Sequence, residues 1–152
     1  MRKIGTIENH YHVYMNDKKK FIIKFETPNH TIAIDNIKWF DENSEETLNF
    51  VADLILDEVV VGRCSNAGRG GNADYYIDSE YHLLAKNISQ EVSTIQNYCF
   101  PTMTENFSDV LDVLANKNVT FIENKVKTIK KAKEIIDIYQ KNAEKYRAKY
   151  SH

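Results

Sequence analysis

The sequence predicts an α+β fold, an antiparallel β-sheet opened by an N-terminal meander and packed with a mid-chain helix and a long C-terminal helix. Three observations carry that expectation. Tyr11 to Met15, Phe21 to Phe25 and Thr31 to Ile34 are rich in β-branched and aromatic residues, and Asp17-Lys18-Lys19 and Pro28-Asn29 separate them as turns. Residues 44–58 set Leu48, Val51, Ala52, Ile55 and Val59 at helical spacing, behind Asp41-Glu42-Asn43-Ser44. That run offers an N-cap and puts acids at the positive end of a helix dipole. From Lys125 to about Lys149 there is no Gly or Pro, and Ile129, Ala132, Ile136, Tyr139, Ala143, Tyr146 and Tyr150 alternate at intervals of three and four.

The remaining elements follow from local signals. Four of the five glycines fall between Gly62 and Gly71, a density that neither helix nor strand tolerates, so residues 62–72 read as a loop. Tyr75 to Ile77 reads as strand, while residues 79–99 fit helix and strand equally. Thr104 caps a short helix carrying Phe107, Val110, Leu111 and Leu114, which Asn116-Lys117-Asn118 ends because Asn accepts left-handed geometry. Val119 to Ile122 then reads as a short strand. Strand order is open at this level.

A chain of 152 residues and 17.7 kDa suits one domain spanning residues 1–152. Hydrophobic residues at 42% and charged residues at 28% place it among globular proteins. A formal net charge of −2 argues against coating nucleic acid by bulk electrostatics. The charge is uneven, with an acidic flank over residues 35–58 and a basic tail over residues 125–149. Met1 to Gly5 lacks the apolar core of a signal peptide, and no apolar run approaches the roughly 18 residues of a membrane span. A cytoplasmic protein is expected. Cys64 and Cys99, without CxxC spacing, read as reduced thiols, and no cofactor is expected.

The candidate binding residues form two groups. In the Gly-Arg segment, Gly70 and Gly71 can present backbone amides, Arg63 and Arg69 supply guanidinium forks, and Tyr75 and Tyr76 can stack on a ligand at the far end. The segment lacks the Gly-Lys-Ser/Thr of a P-loop. On the terminal helix, Tyr139, Tyr146 and Arg147 suit a partly wet interface with an acidic partner or a phosphate. The same helix can dock on its own sheet or pair with a copy of itself as a homo-oligomer. Cys64, with His82 as a conceivable base, is the better candidate for thiol chemistry.

His10-Tyr11-His12 resembles the His-hydrophobic-His metal motif of HUH single-strand endonucleases, and Tyr146-Arg147-Ala148-Lys149 is similar to the Tyr-x-x-Lys arrangement of their replication-initiator branch. That resemblance implies a metal held by His10 and His12, attack on a DNA phosphate by Tyr146, and charge compensation by Lys149. A composition heavy in Asn, Lys, Ile and Tyr resembles that of small accessory proteins from AT-rich phages and mobile elements, anti-CRISPR inhibitors of host defence among them. The favoured reading is a small non-enzymatic binding or inhibitor protein whose Gly-Arg segment and terminal helix engage a protein, nucleotide or nucleic-acid partner. The alternatives are the HUH-like endonuclease and a structural dimerisation module.

Overall fold

A computed structural model describes residues 1–41, 47–97, 100 and 102–150, with the side chains of Tyr146, Arg147 and Tyr150 outside the description. Seven strands lead: β1 (Arg2–Glu8), β2 (Tyr11–Met15), β3 (Phe21–Glu26), β4 (Thr31–Trp39), β5 (Asn49–Leu56), β6 (Val59–Ala67) and β7 (Asp74–Ile77). They form one sheet in sequence order, every neighbour antiparallel. A 3-10 turn, Ser79–Tyr81, leads into α1 (His82–Val92), followed by α2 (Phe107–Glu123) and α3 (Ile129–Tyr150). The α+β class, the N-terminal meander and the long C-terminal helix are as the sequence predicts, and the meander continues through all seven strands.

The expected helix over residues 44–58 is the main correction. Asn49–Leu56 is a strand, and residues 44–46 lie outside the described residues. Alternation decides the matter, because Phe50, Ala52, Leu54 and Leu56 are fully buried while Val51, Asp53 and Ile55 take the other face. A run of apolar and β-branched residues satisfies both periods locally, and cross-strand pairing with β4 and β6 selects the extended one. The hairpin turn after it, Asp57-Glu58, has φ of 49° and 68°, the positive values that a two-residue I′ turn requires. Most of the expected 62–72 loop is also strand, since β6 runs through Gly62, Arg63, Cys64, Ser65 and Asn66.

All three helices bury side chains in one cluster with the inward face of the sheet: Ile88 and Val92 from α1, Leu111 and Leu114 from α2, Ala132 and Ile136 from α3. Of the two docking modes open to α3, its stripe is occupied by its own chain, with Ala132, Ile135, Ile136 and Ala143 buried and Ile136 packed close to Gly5 of β1. Residues 82–92 resolve the ambiguous stretch as helix. The Asn116-Lys117-Asn118 stop and the 119–122 strand are corrected by α2, which runs on to Glu123. Inside that helix Asn116 and Asn118 donate to the carbonyls of Asp112 and Leu114, four residues back, so their side chains supplement the ladder. The helix ends where Lys125 N–H bonds Ile122 O and Val126 N–H bonds Phe121 O, a Schellman motif with Lys125 at φ 52° in the place usually held by Gly. Among the described residues no helix is long and apolar enough to cross a membrane.

Among the described residues no helix covers the outer face of the sheet, and its charges pair with one another. Asp35 and Asp53 stand opposite one another on β4 and β5, a repulsive placement offset by Lys20 on Asp35 and by Asn36 and Arg63 on Asp53. Lys24, buried, pairs with Glu58 and lies over the Tyr14 ring, whose hydroxyl donates to Glu26. Acids of the 35–58 flank, Asp35, Asp53 and Glu58, are thus paired with cations on this sheet.

Glu91 ties α1 to the β3–β4 turn, accepting hydrogen bonds from Asn29 N–H and Nδ2 beside His30, whose Nδ1 meets Asp57 at 2.7 Å. The Thr27 hydroxyl, the Asn29 donors and the nearby His30 hold the Glu91 carboxyl below its ordinary value. A carboxyl depressed in the fold stabilises it above the unfolded value, and that contribution disappears as pH falls through the folded value. Glu91→Gln is therefore expected to narrow the gap between urea midpoints measured at neutral pH and in acid, chiefly by lowering the neutral one.

Candidate functional site

The β6–β7 hairpin is organised by one buried side chain. Asn66, at the end of β6, accepts from Gly68 N–H and the Thr47 hydroxyl through Oδ1, and donates through Nδ2 to Gly71 O and Asp112 Oδ1. Asp112, on α2, accepts a further bond from Ala73 N–H at 2.9 Å. Burial raises the Asp112 carboxyl above its ordinary value although Asn66 and Ala73 donate to it. Between these anchors the chain turns through Gly68 and Gly70, with φ of 80° and 83°, where a side chain would be strained. Arg69 stands exposed at the tip.

Beyond the turn, β7 forms the last strand of the sheet. Asp78 N–H donates to Val61 O, so alternation directs the amide groups of Tyr76 and Asp74 to β6 and those of Tyr75 and Ile77 to the open edge. His82 Nε2 donates to Ile77 O at 2.8 Å and so covers one of these outward groups. Among the described residues the N–H and C=O of Tyr75 and the N–H of Ile77 have no main-chain partner and make an open strand edge. Alongside it runs a groove of about 590 Å³ between β7 and α1, lined by Tyr75, Tyr76, Phe107, His82, Ala85 and Ser89. Tyr75 meets Phe107 edge to face, with ring centroids 4.9 Å apart, and so forms one wall. Tyr76, 70% exposed, pairs with Arg63 on the outer face, where Arg63 lies 3.9 Å from Asp53.

Of the residues singled out in the sequence, Arg63, Tyr75 and Tyr76 converge on this edge, and Arg69, Gly70 and Gly71 lie in the turn that feeds it. In the turn, Gly68 N–H is engaged by Asn66 and Gly70 N–H faces the Thr47 hydroxyl at 3.4 Å. Tyr139, Tyr146 and Arg147 belong to α3, which packs on β1 at the opposite edge of the sheet. Tyr139 is half-buried, with the Lys117 ammonium 4.3 Å from its ring centroid, and burial raises its phenol. The side chains of Tyr146 and Arg147 lie outside the described residues.

The thiol and metal readings meet obstacles in this arrangement. Cys64 is buried, and burial, with Asp112 and Asp53 nearby, pushes its thiol up to about 12, which suppresses the thiolate; its supposed base His82 is bonded to Ile77 O. Cys99 lies outside the described residues. His10 falls in the β1–β2 turn beside Phe25, whereas His12 hydrogen-bonds Thr6 and faces Glu26. The turn breaks the strand spacing that a shared metal would use, and among the described residues no group of three His, Cys, Asp or Glu side chains is placed to hold one. Phe107, Ala85 and Ser89 are not legible as site residues in the sequence, since Phe107 reads as a buried helical position and Ala85 and Ser89 fall in the stretch that fits helix and strand equally, until α1 and α2 are brought against β7. No family model, curated protein or solved structure matches the chain.

Proposed function

We propose that the protein is a non-enzymatic binding module that takes an extended peptide segment of a protein partner onto the open edge of β7 by strand addition. The carrying observation is the outward N–H and C=O of Tyr75 and N–H of Ile77 beside a groove bounded by α1. An edge of this kind supplies main-chain hydrogen bonds to any extended chain, and pockets for alternate side chains supply selectivity. Here the groove offers aromatic walls at Tyr75 and Phe107 and small residues, Ala85 and Ser89, on the helix side. Arg63 and Tyr76, opposite one another on β6 and β7 at the outer face, would contact the side chains that point away from the groove.

The test separates the backbone from the ring. Tyr75→Ala removes the side chain and keeps the outward N–H, whereas Tyr75→Pro removes both, and proline is tolerated on an edge strand whose N–H faces solvent. Linear peptides selected on the intact protein from a random displayed library serve as ligands, with affinity read by fluorescence polarisation. Loss of main-chain bonds is expected to weaken the proline variant roughly tenfold beyond the alanine variant. Equal affinities for the two variants would remove strand addition from the account.

A further inference from the structure

A second cavity, of about 630 Å³, lies far from β7, where the β2–β3 turn and the middle of β4 face the end of α2. Its floor is apolar, made by Phe21, Ile37 and Phe121, with the two phenylalanine rings in tilted contact at 6.2 Å. Its rim is cationic, made by Lys19, Lys125 and Lys127. Asp35 also lines the cavity, but Lys20 holds it at 2.7 Å, so the one carboxylate of the lining is already neutralised. Lys19, Lys125 and Lys127 pair with no carboxylate among the described residues. The size falls within the range of small-molecule sites, which are largely apolar with a few placed polar groups.

The backbone adds an independent observation. Lys19, Asn36 and Lys125 all line this cavity and all have left-handed φ, of 59°, 50° and 52°. Glycine would meet two of those conformations at lower cost, yet lysine occupies both. At Lys125 a cation complements the carbonyl end of α2, which accounts for charge at that position alone. Lys19 takes its conformation in the β2–β3 turn, where its N–H bonds Asn16 O, and neither that turn nor a helix end calls for a cation at Lys19 or Lys127.

We infer that this cavity binds a free small molecule with an apolar body and a single anionic head, the body lying on Phe21, Ile37 and Phe121 and the head among Lys19, Lys125 and Lys127. Decanoate is a suitable probe. Calorimetric titration of the full chain should give one site per chain, with 1-decanol, which keeps the tail and lacks the charge, binding at least roughly tenfold more weakly. Lys19→Gly and Lys125→Gly suit their backbone conformations, so each is expected to leave Tm unchanged or raised while weakening decanoate roughly tenfold. Equal binding of decanol, unchanged affinity in both glycine variants, or capture by phosphatidylglycerol vesicles without binding of free decanoate would each overturn the assignment.

Discussion

Gly62→Ala should detach β7 from the sheet and lower stability by about 3 kcal/mol, at the upper end of the range for overpacking. A methyl group on Gly62 would sit 1.9 Å from the Tyr76 carbonyl oxygen and 2.9 Å from its carbon, both backbone atoms that no side-chain rotation can move. The strand has to retreat, and it is only four residues long. Retreat loosens the Arg63–Tyr76 and Cys64–Tyr75 pairs together and exposes the Cys64 thiol. Urea unfolding checks the stability, and the rate of Cys64 alkylation, read by peptide mass mapping so that Cys99 is scored separately, checks the site of damage. A large stability loss with Cys64 still protected would place the strain somewhere other than the β6–β7 seam.

This glycine also shows why residues 62–72 read as a loop in the sequence although β6 runs through Gly62. Glycines clustered between Gly62 and Gly71 announce a loop if each is taken as a source of backbone freedom. Gly62 serves close approach inside a strand, while Gly68 and Gly70 serve positive φ in the turn, and one letter does not distinguish the two uses. The 44–58 stretch reads as a helix, where the structure has a strand, for a related reason. Leu48, Val51, Ala52 and Ile55 fit a helical stripe as well as Phe50, Ala52, Leu54 and Leu56 fit a strand, and the turn that settles it, Asp57-Glu58, lacks the glycine that normally marks a I′ hairpin. The N-terminal meander and α3 were legible because each repeats a single period over several turns or strands without a rival. Site residues were legible in part. Arg63, Tyr75 and Tyr76 stand out by type, but the groove they border needs α1 and Phe107, which only the folded chain brings near.

The two proposed sites lie on different parts of one frame. A seven-strand meander leaves two edges: β1 is backed by α3, and β7 is left with outward main-chain groups. Proteins that do not use such an edge usually block it with lysine, proline or a bulge, and β7 carries Asp74, Tyr75, Tyr76 and Ile77. Its shortness and the His82 bond to Ile77 O limit the edge without closing it.

Lys117→Met is expected to cost about 3 kcal/mol or more, because it strips the counter-charge from a partly buried carboxylate. Lys117 is 4% exposed, with its ammonium 3.0 Å from Glu8 Oε1 and lying 5.3 Å and 4.3 Å from the ring centroids of Tyr11 and Tyr139. It therefore joins the end of β1, the start of β2, α2 and α3 at one point. Methionine keeps most of the aliphatic length and a favourable contact with both rings, so what is lost is chiefly the charge. Removing the other charge as well should then restore stability, since a buried pair replaced as a unit is often nearly neutral whereas a broken one is not. Adding Glu8→Gln to Lys117→Met is expected to recover at least about half of the loss in a urea-denaturation double-mutant cycle. If the two changes simply add, the stability of this junction comes from the rings around the lysine stem, and the Lys117–Glu8 pair contributes nothing to holding α3 on the sheet.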